Sequence, residues 1–271
     1  MDKKKKNIVI IVTVLVLALL LVGIILTNEP NKHKEPLPEL MTDAVLHESN
    51  QYAFFGFKIN PSLVSAFSVT GILLFVALLL RIFAIPKFKT VPGKVQHVLE
   101  ALVGFFDQLA KSNSPHYNKL LGAYIFAAGT YICFGTIFEL FGIQAMAMSG
   151  HLLALPAVHA DINAAISMGI MSYSVILLGG ILHNGVRGIG LTLKEFSLPI
   201  SMSFRLFGAL LSGLLVTELV YYALSLSFVL PVVVAVLFTL LHAIIQTYVL
   251  TMLTSVFYGE VTEPHVKKQE V

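Results

Sequence analysis

The stretch Ser197–Leu230, SLPISMSFRLFGALLSGLLVTELVYYALSLSFVL, runs straight into Pro231–Glu260, PVVVAVLFTLLHAIIQTYVLTMLTSVFYGE. Each half is long and apolar enough to cross a bilayer, whose ~30 Å hydrocarbon core takes about 20 helical residues. Yet one arginine, Arg205, stands inside the first half. At such depth an arginine costs roughly 2.5–3.5 kcal/mol on insertion scales, and it is kept only where it faces a protein interior, a water cavity or a counter-charge. Arg205 is therefore a functional candidate on physical grounds alone.

Composition agrees with a membrane setting. Of 271 residues, 56% are hydrophobic and 12% charged, about half the charge of a soluble domain. Cys133 is the single cysteine, which excludes an internal disulfide and a Cys-based zinc site. No GxxxxGK[ST] phosphate loop is present, and no nucleic-acid partner, cofactor or metal is expected.

Working outward from the last two helices, read as Leu198–Leu226 and Val229–Tyr258, four further spans are expected. MDKKKK leads into an apolar run, Asn7–Thr27, read as an uncleaved membrane helix because a signal peptide has a shorter apolar region. Asn28–Ser62, broken by Pro30, Pro36, Pro38 and Pro61, is an outer-side loop. Leu63–Ile85, Leu120–Met146 and Ile162–Leu182 complete the set. Between them, Pro86–Lys119 is too polar to span. Its Val95, Val98, Leu99, Leu102, Phe105, Phe106 and Leu109 fall on one helix face, the pattern of an amphipathic helix lying along the membrane interface. HNGVRGIGLTLKEF is read as a short inner loop. The fold class is thus an all-α membrane protein of about six spans plus one interfacial helix, with the last two helices forming a long hairpin. The expected division is residues 1–30, an N-terminal membrane helix; 31–62, an outer loop; 63–258, the main membrane domain; and 259–271, a tail. Lys3–Lys6, Lys87, Lys89, Lys94, Arg187, Lys194, Lys267 and Lys268 then fall inside with both termini, while Lys32, Lys34 and Lys58 fall outside. No internal repeat is found, unlike repeat-built transporters.

At about 100° per residue, Ser201, Gly208 and Ser212 lie within about 60° of Arg205. Small residues let another helix approach closely, and no acidic residue lies within a helical turn of Arg205. Its partner is expected from elsewhere. Thr239, His242 and Gln246 share a face of the last helix; interhelical hydrogen bonding and a water path are both open for Thr239. A hairpin brings Gln246 beside Arg205. His242 is either a titrating group or a satisfied core histidine. Glu218 lies about 220° round from Arg205, toward the outer side. Glu139, His159 and Asp161 are placed toward that side too, as an acidic, water-filled inlet; for Asp161 the capping of the fourth helix is the favoured reading.

The motifs LPISMSFRLFG (Leu198–Gly208) and QTYVLTMLTSVFYGE (Gln246–Glu260) resemble subunit a of the F-type ATP synthase, the stator channel of its membrane sector. VPGKVQHVLEALVGFF, FELFG, ADINAAISMG and GIGLTLKE support the resemblance in order, over roughly Asn60–Tyr258. The resemblance implies a non-catalytic subunit with two half-channels. These pass protons, or alternatively sodium, to and from carboxylates on a ring of c subunits. The implied partners are that ring, the b-subunit peripheral stalk and the rest of the complex, in the bacterial plasma membrane. Arg205 matches the arginine that attracts an empty ring carboxylate and blocks a leak. Gln246 matches a polar residue facing it, Ser201 one near the ring-facing path, and Glu139 an acidic position at the outer end of its helix. The pattern departs at Ala209, where the family has asparagine, and at Leu214, where many members have the inlet glutamate. Glu218, one turn later, is the implied substitute, and Thr239 stands for a histidine. The competing class is a self-contained carrier or channel with Arg205 as an anion site.

Overall fold

A computed structural model describes residues 38, 52–54, 57–116, 119–146, 152–222 and 230–264. The expected first span, Asn7–Thr27, lies outside these residues. The chain divides into two compact units, one of Asn50–Leu210 with Thr239–Val271, the other of Met1–Ser49 with Leu211–Phe238. The core described below belongs to the first.

The architecture is all-α. Strands are confined to two antiparallel hairpins of three-residue strands: β1 (Tyr52–Phe54) with β2 (Phe57–Ile59), and β3 (Gln144–Met146) with β4 (Leu152–Ala154). The helices are α1 (Pro61–Leu79), α2 (Lys94–Asn113), α3 (Lys119–Ile137), α4 (Ile162–Lys194), α5 (Ser197–Tyr222) and α6 (Leu230–Thr262). Among the described residues, five helical stretches are long and apolar enough to cross a membrane: Pro61–Lys87, Lys119–Phe141, Ile162–Lys194, Ser197–Val216 and Val232–Thr262.

Three boundaries differ from expectation. The second span starts earlier, at Pro61, because Asn60 is an N-cap whose side chain accepts from the Ser62 amide at 3.1 Å. A proline at the first helical position costs nothing, since its missing N–H has no helical partner there. The third span ends as a helix at Ile137, tightens into a 3₁₀ turn (Phe138–Phe141) and stops at Gly142, whose φ is +58°. Residues up to Met146, expected in the span, form β3 instead.

The largest difference is in α4. The segment read as an inner loop is helical, and the chain reverses at Gly185, with φ 55° and ψ −135°. Only glycine adopts that region without steric penalty. The second limb folds back along the first: the Tyr173 hydroxyl donates to the Thr192 carbonyl at 3.0 Å, and a Cβ at Gly188 would lie 2.0 Å from the Gly180 carbonyl oxygen. Asn184, just before the reversal, donates to the Val261 carbonyl of α6 at 2.7 Å.

The amphipathic helix α2 splits its apolar surface. Phe106 and Ala110 are buried against Leu121 and Ile125 of α3 and Tyr258 and Val261 of α6. Val95, Val98, Leu102 and Phe105 stay exposed, an uncovered stripe at helical spacing. At its end α2 is clamped to α6: Asn113 Nδ2 donates to Ser255 Oγ at 3.1 Å, and Ser255 Oγ donates to the Leu109 carbonyl at 3.0 Å.

This clamp requires Gly259, where a Cβ would sit 2.0 Å from the Asn113 carbonyl oxygen. Backbone cannot move aside as a rotamer can. Gly259→Ala is expected to lower stability by about 1–3 kcal/mol, the usual range for overpacking, seen as a lower melting temperature of the purified complex.

Candidate functional site

Helix α5 has two unlike faces. Leu198, Met202, Ser203, Leu206 and Leu210 are buried. Leu206 packs among Ala128 and Ile132 of α3, Ala165 and Met168 of α4 and Leu250 of α6. Ser203 Oγ, donating to the Pro199 carbonyl at 2.6 Å, seats over Gly169 of α4, where a Cβ would lie 2.3 Å from it. The other face carries Ile200, Ser201, Phe204, Arg205 and Gly208, all exposed. Phe204 is 62% and Ile200 49% exposed, so Arg205 stands in an apolar, uncovered surface. Among the described residues its guanidinium has no ion pair or hydrogen bond.

The other candidates distribute as follows. Ser201 is exposed one turn before Arg205. On α6, Thr239 and Gln246 are buried and His242 is half-buried. No hydrogen bond joins the Gln246 amide to Arg205 among the described residues. The hydroxyls further along α6 are satisfied by their own helix: Thr251, Thr254 and Thr262 donate to the carbonyls of Thr247, Leu250 and Tyr258 at 2.7–2.8 Å, the back-bonding usual for threonine inside a helix. Thr247 Oγ1 instead reaches the Gly129 carbonyl of α3 at 3.4 Å. Glu139 is half-buried in the turn that closes α3. Glu218 lies near the end of α5, in the other unit, and its side chain lies outside the described residues.

Asp161 is the N-cap of α4, accepting from the Asn163 amide at 2.7 Å through Oδ1. Its Oδ2 accepts from Asn60 Nδ2 at 2.6 Å. The two N-caps thus share one side-chain pair, which ties the starts of α1 and α4 together. Sequence reasoning found the Asp161 cap and missed Asn60, although an asparagine before a proline at a helix start is a readable capping signal. His159, expected beside a water-filled inlet, is enclosed by protein at 1% exposure. Burial pushes its pKa down to about 4, so it is neutral at neutral pH.

An uncovered arginine on a helix otherwise packed into a membrane bundle sets the context for comparison with known proteins. The profile of the family described as ATP synthase A chain matches residues 63–259. The chain belongs to this family. It is similar to the ATP synthase subunit a, sodium ion specific, of Propionigenium modestum, at 23% identity over 239 residues, covering 82% of this chain and 81% of that protein. Membership makes the chain a multi-pass, non-catalytic subunit of the ATP synthase membrane sector, within the complex that includes the c-ring. The matched region contains Arg205, Gln246, Glu139, Asp161, Glu218, Ser201, His242 and Thr239.

The Asn60–Asp161 pair generates a stability ordering. Asp161→Ala removes the cap, worth about 0.5–2 kcal/mol, and leaves the Asn60 amide without its acceptor. Asp161→Asn keeps a capping oxygen but sets donor against donor at Asn60. Thermal stability is expected to fall from Asp161 to Asn to Ala, while coupled transport persists in the Asn variant; vesicle transport assays and melting curves of the purified complex check both.

Proposed function

We propose that this chain is the ion-conducting stator subunit of a rotary ATP synthase, and that the uncovered α5 face carrying Arg205 is where the c-ring turns. The observation that supports this most directly is a guanidinium kept on an apolar, exposed helix face without a partner among the described residues. In water such a charge needs nothing; against lipid it is costly. A rotor carboxylate moving past supplies the missing counter-charge, one ring subunit at a time.

In this reading Arg205 draws each arriving carboxylate into its ionised form and so displaces the bound ion. The same fixed charge keeps ions from passing directly between the two half-channels. Glu139, Glu218 and Thr239 belong to the inlet side, Ser201 and Gln246 to the surroundings of the arginine, and His242 shares the α6 face of Thr239 and Gln246. The b-subunit stalk is a further partner, the bacterial plasma membrane the location, and both termini lie on the cytoplasmic side. One elementary charge crossing 100 mV yields about 2.3 kcal/mol, so several ions must pass for each ATP made.

The coupling ion in the first reading is the proton. The sodium-specific relative favours a second, in which oxygen ligands rather than titrating groups line the path, as Leu214 and Thr239 allow. ATP-driven uptake into liposomes by the purified complex separates them. Uptake that requires sodium and survives a protonophore makes the ion sodium, while acidification without sodium that the protonophore abolishes makes it the proton.

Arg205→Ala is expected to abolish ATP-driven uptake while the complex still assembles. Preserved uptake would sink the stator reading. A self-contained carrier with Arg205 as an anion site instead predicts transport by this chain alone, without the ring.

A further inference from the structure

The connection between α3 and α4 contains a buried group that the stator mechanism does not use. Leu155, Ala157, Val158, His159 and Ala160 are all buried, at 9% exposure or less. A connection between helices ordinarily runs over the surface; here its last residues, before Asp161, are drawn inside. Ser65 Oγ of α1 donates to the Pro156 carbonyl at 2.7 Å, and the Leu155 amide donates to the Ile143 carbonyl at 2.8 Å. Val158 packs with Val69 of α1 and Phe138, filling the space over Gly135, where a Cβ would lie 3.2 Å from its Cγ2.

His159 sits at the centre of this connection. Its ring meets that of Tyr131 edge to face, with centroids 5.6 Å apart and planes at 86°, and Tyr131 packs against the apolar cluster that holds Val69 of α1. Among the described residues the buried imidazole Nδ1 has no hydrogen-bond partner. Beside it lies the apolar cluster of Val69 of α1, Phe138, Leu155 and Val158, against which Tyr131 of α3 and Ala164 of α4 pack. The carboxylates of this region are Asp161, committed to Asn163 and Asn60, and Glu139, half-buried beyond Phe138. No ion pair joins either to the ring among the described residues, and a charged imidazolium is costly to enclose in such surroundings.

The connection also bears on α5. Ala157 and Ala160 form a cluster with Leu210, five residues beyond Arg205, or about 7.5 Å along the helix. We propose that His159 is a positioning residue: its neutral, enclosed imidazole keys the α3–α4 connection into the bundle, that connection props α5 beside Arg205, and a proton reaching the ring releases the prop.

The sign follows from burial. A histidine whose pKa is lowered from 6.5 to about 4 in the closed form binds more protons when the connection opens. The closed form's advantage is complete above about pH 6.5 and is lost progressively as pH falls through about 4. The effect of release on transport rests on the stator reading; the release itself does not.

The test is amide hydrogen exchange across residues 155–161 of the intact complex, corrected for intrinsic rates, between about pH 6.5 and about pH 4. Protection is expected to fall by roughly tenfold per pH unit, as one-proton linkage requires. His159→Phe, which keeps the ring, is expected to hold its protection flat over that range; His159→Asn serves if the Phe variant fails to assemble. Constant protection in the unsubstituted complex, or the same slope in both variants, overturns the proposal. ATP-driven uptake, with the side of the membrane bearing this connection acidified, is expected to fall in the unsubstituted complex and to hold in the Phe variant. A loss of protection without a fall in uptake overturns the link to Arg205. Exchange is read without transport, so failure of the stator reading leaves that result standing.

Discussion

A permanent positive charge on an uncovered, apolar helix face is the constraint to which the rest of the bundle is fitted. Had α5 turned by one residue, about 100°, Arg205 would leave that face for the side occupied by Leu206 and its neighbours on three helices. The rotation of α5 is therefore held by its opposite side. Ser203 seated over Gly169, and Leu206 wedged among α3, α4 and α6, act as a key in a slot. The arginine's position is set by groups that never touch it.

Much of this was legible in the chain. A continuous apolar run of about 20 residues satisfies its own backbone in a bilayer only as a helix, so the existence of the described spans followed from Leu63–Ile85, Leu120–Met146, Ile162–Leu182 and the final pair. Arg205 stood out because its cost is local and large. What failed to show was set by single residues or by distant partners. Gly185 looks like any glycine in a glycine-rich loop; one positive φ turned the expected loop into a helical limb folded back on α4. The burial of His159 depends on α1, α3 and α4 closing around it, contacts that no local pattern encodes. Asn60 and Asp161 are 101 residues apart, and each reads alone as a cap; their union is a tertiary fact.

The polar residues of α6 illustrate the same division. Seven threonine, serine and glutamine side chains along it are buried: Thr239, Gln246, Thr247, Thr251, Thr254, Ser255 and Thr262. Sequence alone leaves a water path and helix packing equally open for such a stripe. The structure separates them by position, because the hydroxyls of Thr251, Thr254 and Thr262 are spent on their own helix and Ser255 on α2. That end of α6 is a packing seam. Thr239 and Gln246, toward the other end, have no such back-bond among the described residues.

Helix α1 is fastened at one end only. Its start is tied through Asn60 to Asp161 and through Ser65 to Pro156, and its packing stops near Leu73. Beyond that, Leu74, Phe75, Val76, Leu78, Leu79, Ile82, Phe83 and Ile85 are all exposed. Among the described residues the helix is a cantilever, clamped at the capped end and uncovered along the remainder. A span adjusts its angle to match bilayer thickness wherever no partner fixes it. A thinner or thicker membrane would bend this one helix while leaving the slot that holds α5 untouched.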